Sequence, residues 1–245
     1  MKLDIQLFGR AYEVRKASIQ KTGAAKAKLY SMYAREIYDV AKRGGTDPVS
    51  NASLKRIIER AKKEQVPGDI IKRAIEKVNS GTDETYQHTI YEMFGPAGST
   101  LVIECLTDNL NRSISDLRAV VNKCHIKMGS QGSVLFNYDH LCVVGFMGLD
   151  EEATMDALIE KDVDVDDIEY EEGNVTLYGK PQDLYNIKEA IIAKLPNIEF
   201  DIDEITYIPK EKVTLSGEDL EIFNRALMLL DEVEDVQHVY HNVDL

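Results

Sequence analysis

The sequence predicts an α+β protein of three domains: a basic helical bundle, an α/β middle domain, and an inserted ferredoxin-like β-α-β-β-α-β domain. Three observations support this prediction. Residues 1–80 have helical periodicity and most of the positive charge, and the pattern becomes that of strands after them. A later stretch alternates strands and helices in the ferredoxin-like order.

The helical bundle is predicted from three segments with apolar residues at helix spacing. The first becomes helical near Ala24 and ends at the pair Gly44-Gly45, since glycine commonly ends helices. The second follows Ser50-Asn51, which are good N-cap residues, and the third follows Pro67. We expect these helices to form a small bundle preceded by a basic arm.

After residue 80 the sequence predicts strands. Residues 88–93 and 100–106 flank a Gly-Pro turn and indicate a hairpin, followed by a helix over 112–124 and a strand over 133–138. From Leu141 the predicted order is strand, helix (151–161), strand (166–171), strand (175–178), helix (181–195) and strand (198–207).

The last segment consists of a helix that opens with a capping-box pattern at Ser216 and a strand in DVQHVYHN. These two elements cannot form a domain alone, so we expect them to complete the middle domain. The predicted domains are therefore residues 1–80 (basic arm and helical domain), 81–138 with 208–245 (middle α/β domain) and 139–207 (inserted ferredoxin-like domain).

Composition limits the possible classes of protein. The chain has 245 residues, of which 44% are hydrophobic, enough to bury a sizeable core. Its three cysteines, Cys105, Cys124 and Cys142, form no disulfide framework, and no signal peptide is recognisable. The apolar runs are far shorter than the roughly 20 residues that cross a bilayer. We expect a cytoplasmic protein without membrane contact.

Charge is distributed unevenly along the chain. Residues 1–80 contain 18 Lys and Arg against 9 Asp and Glu, a net +9. Because the whole chain contains 29 and 43 of these residues, the remainder contains 11 against 34, a net −23. This asymmetry is typical of a nucleic-acid-binding segment on a different scaffold. We predict that the following residues contact nucleic acid: Arg10, Arg15, Lys16, Lys21, Lys26, Lys28, Arg35, Lys42 and Arg43. The alternative is that the basic arm is a solvated tail.

The stretch CLTDNLNRSISDLR, residues 105–118, leaves a strand and enters a helix through Asp108, Asn109, Asn111 and Arg112. Asn111 or Asp108 could cap the helix, and Ser113 with Asp116 has the spacing of a capping box. Arg112 has the wrong sign for a helix N-terminus, a cost that an anion would offset. The turn is therefore either structural, with an Arg112–carboxylate pair, or a binding turn for an anion or partner.

The sequence gives little support for an enzyme. Cys124, His125, His140 and Cys142 are residue types that suit zinc, but their spacing is not that of a zinc site. The acidic run LDEVED, residues 230–235, is more typical of a solvated helix end than of a cation site. Phosphate-cradling and nucleophile motifs are absent from the sequence. We expect no catalytic residue, no metal and no cofactor.

Three motifs together resemble the YebC family of bacterial regulatory proteins, which is related to a mitochondrial translational activator. They are YEMFGPAGSTLVIECLTDNLNRSISDLRAVVNK, GSVLFNY and DVQHVYHN, and the likeness extends over nearly the whole chain from Gly9. The sequence departs from the family pattern at its start, GRAYEVRKAS, and at Cys124 and His125, where the resemblance would place glycines. The resemblance implies three domains and a non-enzymatic nucleic-acid binder.

Two kinds of partner are compatible with these expectations, DNA and ribosomal RNA. The resemblance implies either a DNA-binding transcriptional regulator or a ribosome-associated translation factor. Contacts from lysine and arginine to phosphate do not distinguish them, because sequence is read at base edges. An alternative of a different class is a protein-interaction adaptor whose functional surface is the acidic α/β part.

Overall fold

A computed structural model describes residues 23–81 and 84–245. Its described residues form an α+β fold with seven α-helices and two four-stranded sheets, in agreement with the predicted fold class. No helix in this part of the chain combines the length and apolar character needed to cross a membrane. The division into three domains stays a prediction.

The first three helices are α1 (Gly23–Gly44), α2 (Ala52–Lys63) and α3 (Gly68–Asn79), as predicted. Gly45, at φ +95°, follows α1 in a conformation that favours glycine. The side chain of Asn51 caps α2 by accepting a hydrogen bond from the Leu54 N–H at 3.0 Å, and Pro67 precedes α3. The helices share one core, whose fully buried members include Ile37, Leu54 and Ala61.

One sheet contains β1 (Gln87–Phe94), β2 (Thr100–Thr107), β3 (Lys127–Met128) and β8 (Val236–His241), in the order β3-β1-β2-β8. Helix α4 (Leu110–Cys124) connects β2 to β3, and α7 (Gly217–Glu232) precedes β8. The predicted hairpin strands and the final strand are confirmed. The short strand β3 was not predicted.

The second sheet has the order β5-β6-β4-β7, with every pairing antiparallel. Its elements are β4 (Tyr138–Met147), α5 (Glu151–Glu160), β5 (Asp167–Glu171), β6 (Asn174–Gly179), α6 (Leu184–Lys194) and β7 (Phe200–Pro209). Because side chains alternate along a strand, Cys142, Val144 and Phe146 share one face of β4. They belong to one core with Leu158 of α5 and Ile187 of α6.

The strand predicted over 133–138 is wrong: residues 135–137 form a 3-10 turn and β4 begins only at Tyr138. The reason is Glu92, a buried residue of β1. Its carboxylate accepts hydrogen bonds from the backbone N–H groups of Gly132, Val134 and Leu135, the last at 2.9 Å. Amides that bind this carboxylate cannot also join a ladder of strand hydrogen bonds.

The described part of the chain divides into two compact units. One unit contains the described residues through Ile90 with Glu104–Lys123 and Ala226–His238. The other contains Tyr91–Ile103, Cys124–Arg225 and Val239–Leu245. Among the described residues, the predicted nucleic-acid contacts from Lys26 to Arg43 and the turn at Asp108 belong to the first unit.

Candidate nucleic-acid interface

The basic residues predicted to contact nucleic acid fall into three groups. Arg10, Arg15, Lys16 and Lys21 lie outside the described residues. Lys26 is exposed near the start of α1, and Lys42 and Arg43 are exposed at its end. Lys28 and Arg35 lie between them on the same helix and are bound by acidic residues of this chain.

Lys28 is held at the end of α7. Its ammonium group donates hydrogen bonds to the backbone carbonyl of Asp231 and to the Asp231 carboxylate, the latter at 3.3 Å. A cation at a helix C-terminus is favourable because the last carbonyls carry partial negative charge. Burial lowers the pKa of Lys28, and the adjacent Asp231 opposes that effect.

Arg35 is held by the residues that follow α7. Its guanidinium lies 3.2 Å from Asp235 Oδ1 and also donates to the carbonyl of Glu234. The Arg35 side chain is 9% exposed and that of Asp235 only 1%. The expectation that the run 230–235 is a solvated helix end is therefore wrong for Asp235, which is buried and binds cations.

Asp235 also joins Arg35 to the turn that sequence analysis singled out. Arg112 approaches Asp235 with two nitrogens, Nη2 at 2.7 Å from Oδ1 and Nε at 3.2 Å from Oδ2. The hydroxyls of Thr107 and Ser113 donate to Oδ2 at 2.9 and 2.7 Å. The buried carboxylate of Asp235 thus receives hydrogen bonds from four side chains. We call these five residues the Asp235 cluster: Arg35, Thr107, Arg112, Ser113 and Asp235.

The charges of the Asp235 cluster stabilise one another. Burial acts to raise the pKa of Asp235, but hydrogen bonds from Arg112, Ser113 and Thr107 outweigh it, so the pKa lies below its ordinary value. The hydrogen bonds that Arg112 donates to Asp235 and Asp108 raise the pKa of Arg112. The two-nitrogen contact is the geometry in which arginine binds a carboxylate most strongly.

The turn from Asp108 to Arg112 begins α4. Asn109 is the N-cap: its Oδ1 accepts hydrogen bonds from the backbone N–H groups of Asn111 and Arg112, each at 3.1 Å. The predicted capping by Asn111 or Asp108 is wrong, because the helix begins at Leu110, one position after Asn109. Ser113 is buried against Asp235 and Asn109, so it does not form the expected capping box.

The anion expected beside Arg112 comes from within the chain. Besides Asp235, the Asp108 carboxylate lies 2.8 Å from Arg112 Nη2. This arrangement favours the structural alternative for the turn over a binding turn.

Two cations in the last turn of α1 have contacts within the chain. Lys42 donates to the carbonyl of Glu84 at 2.6 Å, and Arg43 lies 3.0 Å from the buried carboxylate of Asp39. The Arg43 side chain nevertheless remains 59% exposed. Both cations therefore keep an exposed position near the end of the helix.

Sequence analysis did not select the residues of α2, whose sequence ASLKRIIERAKK contains five basic residues and a single acid, Glu59. Lys55 and Lys62 are exposed and lie seven residues apart, which places them on one face of the helix. The sequence did contain a pattern that could have indicated this basic surface. In the helix, the apolar residues Leu54, Ile57 and Ala61 alternate with cations.

The four Cys and His residues considered for zinc do not form a site. His140 stacks on Tyr207 with ring centroids 4.3 Å apart, and the Cys142 thiol donates to the Lys180 carbonyl. Cys124 is buried at the end of α4, and His125 is exposed. In the described ranges, no group of three or more His, Cys, Asp or Glu side chains is placed to hold a metal ion.

The helical part and the part that contains the two sheets each match a known family of proteins. A model of the TACO1/YebC N-terminal domain matches residues 10–81, and a model of the TACO1/YebC second and third domain matches residues 86–243. The chain belongs to the TACO1/YebC family.

Its relatives include proteins named as regulators. A probable transcriptional regulatory protein of Alcanivorax borkumensis is 45% identical over 238 residues, which cover 97% of this chain and 100% of that protein. One from Marinobacter nauticus, with the same name, is 46% identical over 97% of this chain and 99% of its own length. A crystal structure of a conserved hypothetical protein from Aquifex aeolicus is similar with a TM-score of 0.70 and 30% identity, covering 92% of this chain and 95% of that one.

Proposed function

We propose that this protein is a non-enzymatic nucleic-acid-binding regulator of gene expression, acting as a DNA-binding transcriptional regulator or as a ribosome-associated translation factor. The names of its relatives support a regulatory role. The single observation that carries the proposal is α2, which contains five cations and one acid and exposes Lys55, Lys62 and Lys63. The residues beyond 80, by contrast, have a net charge of −23.

The proposed contact surface consists of exposed cations on the described helices, together with the basic residues predicted from the sequence between positions 10 and 21. It contains Lys26, Lys42, Arg43, Lys55 and Lys62, with Arg10, Arg15, Lys16 and Lys21. We leave out Lys28 and Arg35, because their charged groups are bound by Asp231 and Asp235. A phosphate would have to displace a carboxylate of the same chain to reach them.

The test is a fluorescence-anisotropy titration of the full chain with labelled DNA and RNA over a series of salt concentrations. Each phosphate neutralised by a cation releases counterions, so log K should fall linearly with log salt by about 0.7–0.9 per contact. The double variant Lys55→Glu, Lys62→Glu should weaken binding on every sequence and reduce this slope.

The matched control is Lys161→Glu, Lys180→Glu, which changes the net charge equally at two exposed lysines outside α2. It should alter the slope far less. If both double variants bind as the wild type does, the α2 surface is not the contact. If the full chain shows no salt-dependent binding to any nucleic acid, the adaptor alternative replaces the proposal.

A further inference from the structure

A pocket of about 400 Å³ lies within the second unit. It is lined by Phe94 at the end of β1, by the Gly95-Pro96 turn, by His125, Ile126 and Lys127 at the start of β3, and by Ile222 of α7. Its volume falls within the range of about 300–1,000 Å³ typical of small-molecule sites.

The pocket combines an exposed aromatic ring with the ammonium group of Lys127. Phe94 and Lys127 are directly opposed in the antiparallel pairing of β1 with β3. Their side chains therefore project from the same face, with Cβ atoms about 5 Å apart. Phe94 is 38% exposed although phenylalanine is normally buried, so part of its side chain is accessible to a ligand.

The backbone at His125 is also unusual. His125 follows the last residue of α4 with φ +53°, the left-handed conformation that glycine usually supplies at the end of a helix. A side chain in this conformation costs free energy, and such residues are concentrated at functional sites. Here the conformation places a histidine in the pocket wall beside Lys127.

These features suit one chemical class of ligand: a planar base attached to a phosphate. Phe94 offers a surface for stacking, Pro96, Ile126 and Ile222 provide apolar walls, and Lys127 offers a cation to the phosphate. A base in a duplex is already stacked and paired and cannot enter, whereas an unpaired base can.

We propose that this pocket binds one unpaired nucleotide of a single-stranded nucleic acid, with the base on Phe94 and its phosphate beside Lys127. The inference rests on the proposed function and adds to it a preference for single strands. The basic helices then supply sequence-independent attraction, and the pocket supplies the contact with a base.

The first experiment measures binding of the full chain to a labelled single-stranded oligonucleotide of about 12 nucleotides, which is within the span of single-strand sites. Phe94→Ala should weaken this binding by about 5- to 100-fold, because stacking on an aromatic side chain contributes that much. Phe94→Trp should retain it. Binding to the same sequence as a duplex should change little in either variant.

The control variant is Phe136→Ala, which removes a ring that is 65% exposed in the same unit but does not line the pocket. It should bind as the wild type does. If Phe94→Ala also binds the single strand as the wild type does, while salt-dependent binding persists, the pocket proposal fails and the proposed function stands.

The second experiment does not depend on the basic helices. Methyl NMR spectra of the full chain are recorded with 5′-AMP, 5′-UMP and inorganic phosphate. Shifts at Ile126 and Ile222 with the nucleotides, lost in Phe94→Ala, would support the pocket even if the oligonucleotides failed to bind. Equal shifts with inorganic phosphate alone, or no shifts with either nucleotide, would overturn it.

Discussion

Asp235 receives hydrogen bonds from four side chains, and two of them are arginines. We expect Asp235→Asn to lower the free energy of unfolding by about 3 kcal/mol, because removing one partner leaves buried positive charge uncompensated. Urea unfolding of the full chain would measure this loss. Glu221→Gln, which neutralises an exposed carboxylate on α7, should change stability by less than about 0.5 kcal/mol.

The same residue should make stability depend on pH. The pKa of Asp235 lies below that of an unfolded aspartate, about 3.9, so the unfolded state takes up the proton first. The contribution of Asp235 to the free energy of unfolding is fully present above the unfolded-state pKa of about 3.9. It is lost as the pH falls through the lower pKa that Asp235 has in the folded state. The stability difference between wild type and Asp235→Asn should therefore be constant from about pH 5 to 7 and shrink below about pH 4. A difference that stays constant to pH 2 would contradict the shifted pKa.

Asn109 can be compared directly with its neighbour Asn111. Asn109→Ala should cost about 1 kcal/mol, since it removes the acceptor for two free N–H groups at the start of α4. Asn111→Ala, at an exposed position inside the helix, should cost less than about 0.5 kcal/mol. Thermal melts of both variants would show the difference. Equal losses would mean that Asn109 is not the cap.

At the scale of elements, the sequence correctly predicted those helices whose ends are determined by residues at the ends themselves. The bounds of α1, α2 and α3 follow from Gly45, Asn51 and Pro67, which act on their immediate neighbours. The strand expected over 133–138 failed because Glu92, about 40 residues earlier in the chain, binds its amides. Periodicity carries no information about such a distant partner.

The candidate site was predicted less well than the fold for the same reason. The sequence predicted Lys28 and Arg35 as nucleic-acid contacts. It singled out Arg112 as a charge that an anion would offset, and it placed Asp108 in the same turn. It did not identify Asp235 as their common partner, because that contact spans about 200 residues for Arg35. The cations of α2 did not indicate a binding surface in the sequence, because amphipathic helices on the surface of soluble proteins commonly have charged residues on their outer face.

The stability of the turn that follows β3 should depend on the hydrogen bonds accepted by Glu92. Glu92→Gln replaces one acceptor oxygen by an NH2 group that faces backbone donors, so we expect a loss of about 2 kcal/mol. Hydrogen exchange should accelerate at the amides of Gly132, Val134 and Leu135 in particular. The amides of Val175 and Leu177 in β6 provide an internal reference within the same unit. Uniform acceleration at both places would indicate global destabilisation instead.

At the scale of the whole molecule, the net charge of −14 opposes the approach of nucleic acid although the first 80 residues carry +9. Neutralising three exposed acids, with Asp156→Asn, Glu171→Gln and Glu211→Gln, should therefore raise the association rate at low salt. The gain should disappear near 1 M salt, where the Debye length is only about 3 Å. A gain that persists at high salt would mean that these substitutions created a direct contact.

The pairing of Arg35 with Asp235 also has a consequence for biosynthesis. The two residues are 200 positions apart, and a ribosome adds about 5–20 residues per second. Asp235 is therefore synthesised about 10 to 40 seconds after Arg35. Throughout that time, α1 carries cations that the finished protein neutralises. A nascent chain interrupted before Asp231 lacks both carboxylates, so the charges of Lys28 and Arg35 would remain without these partners.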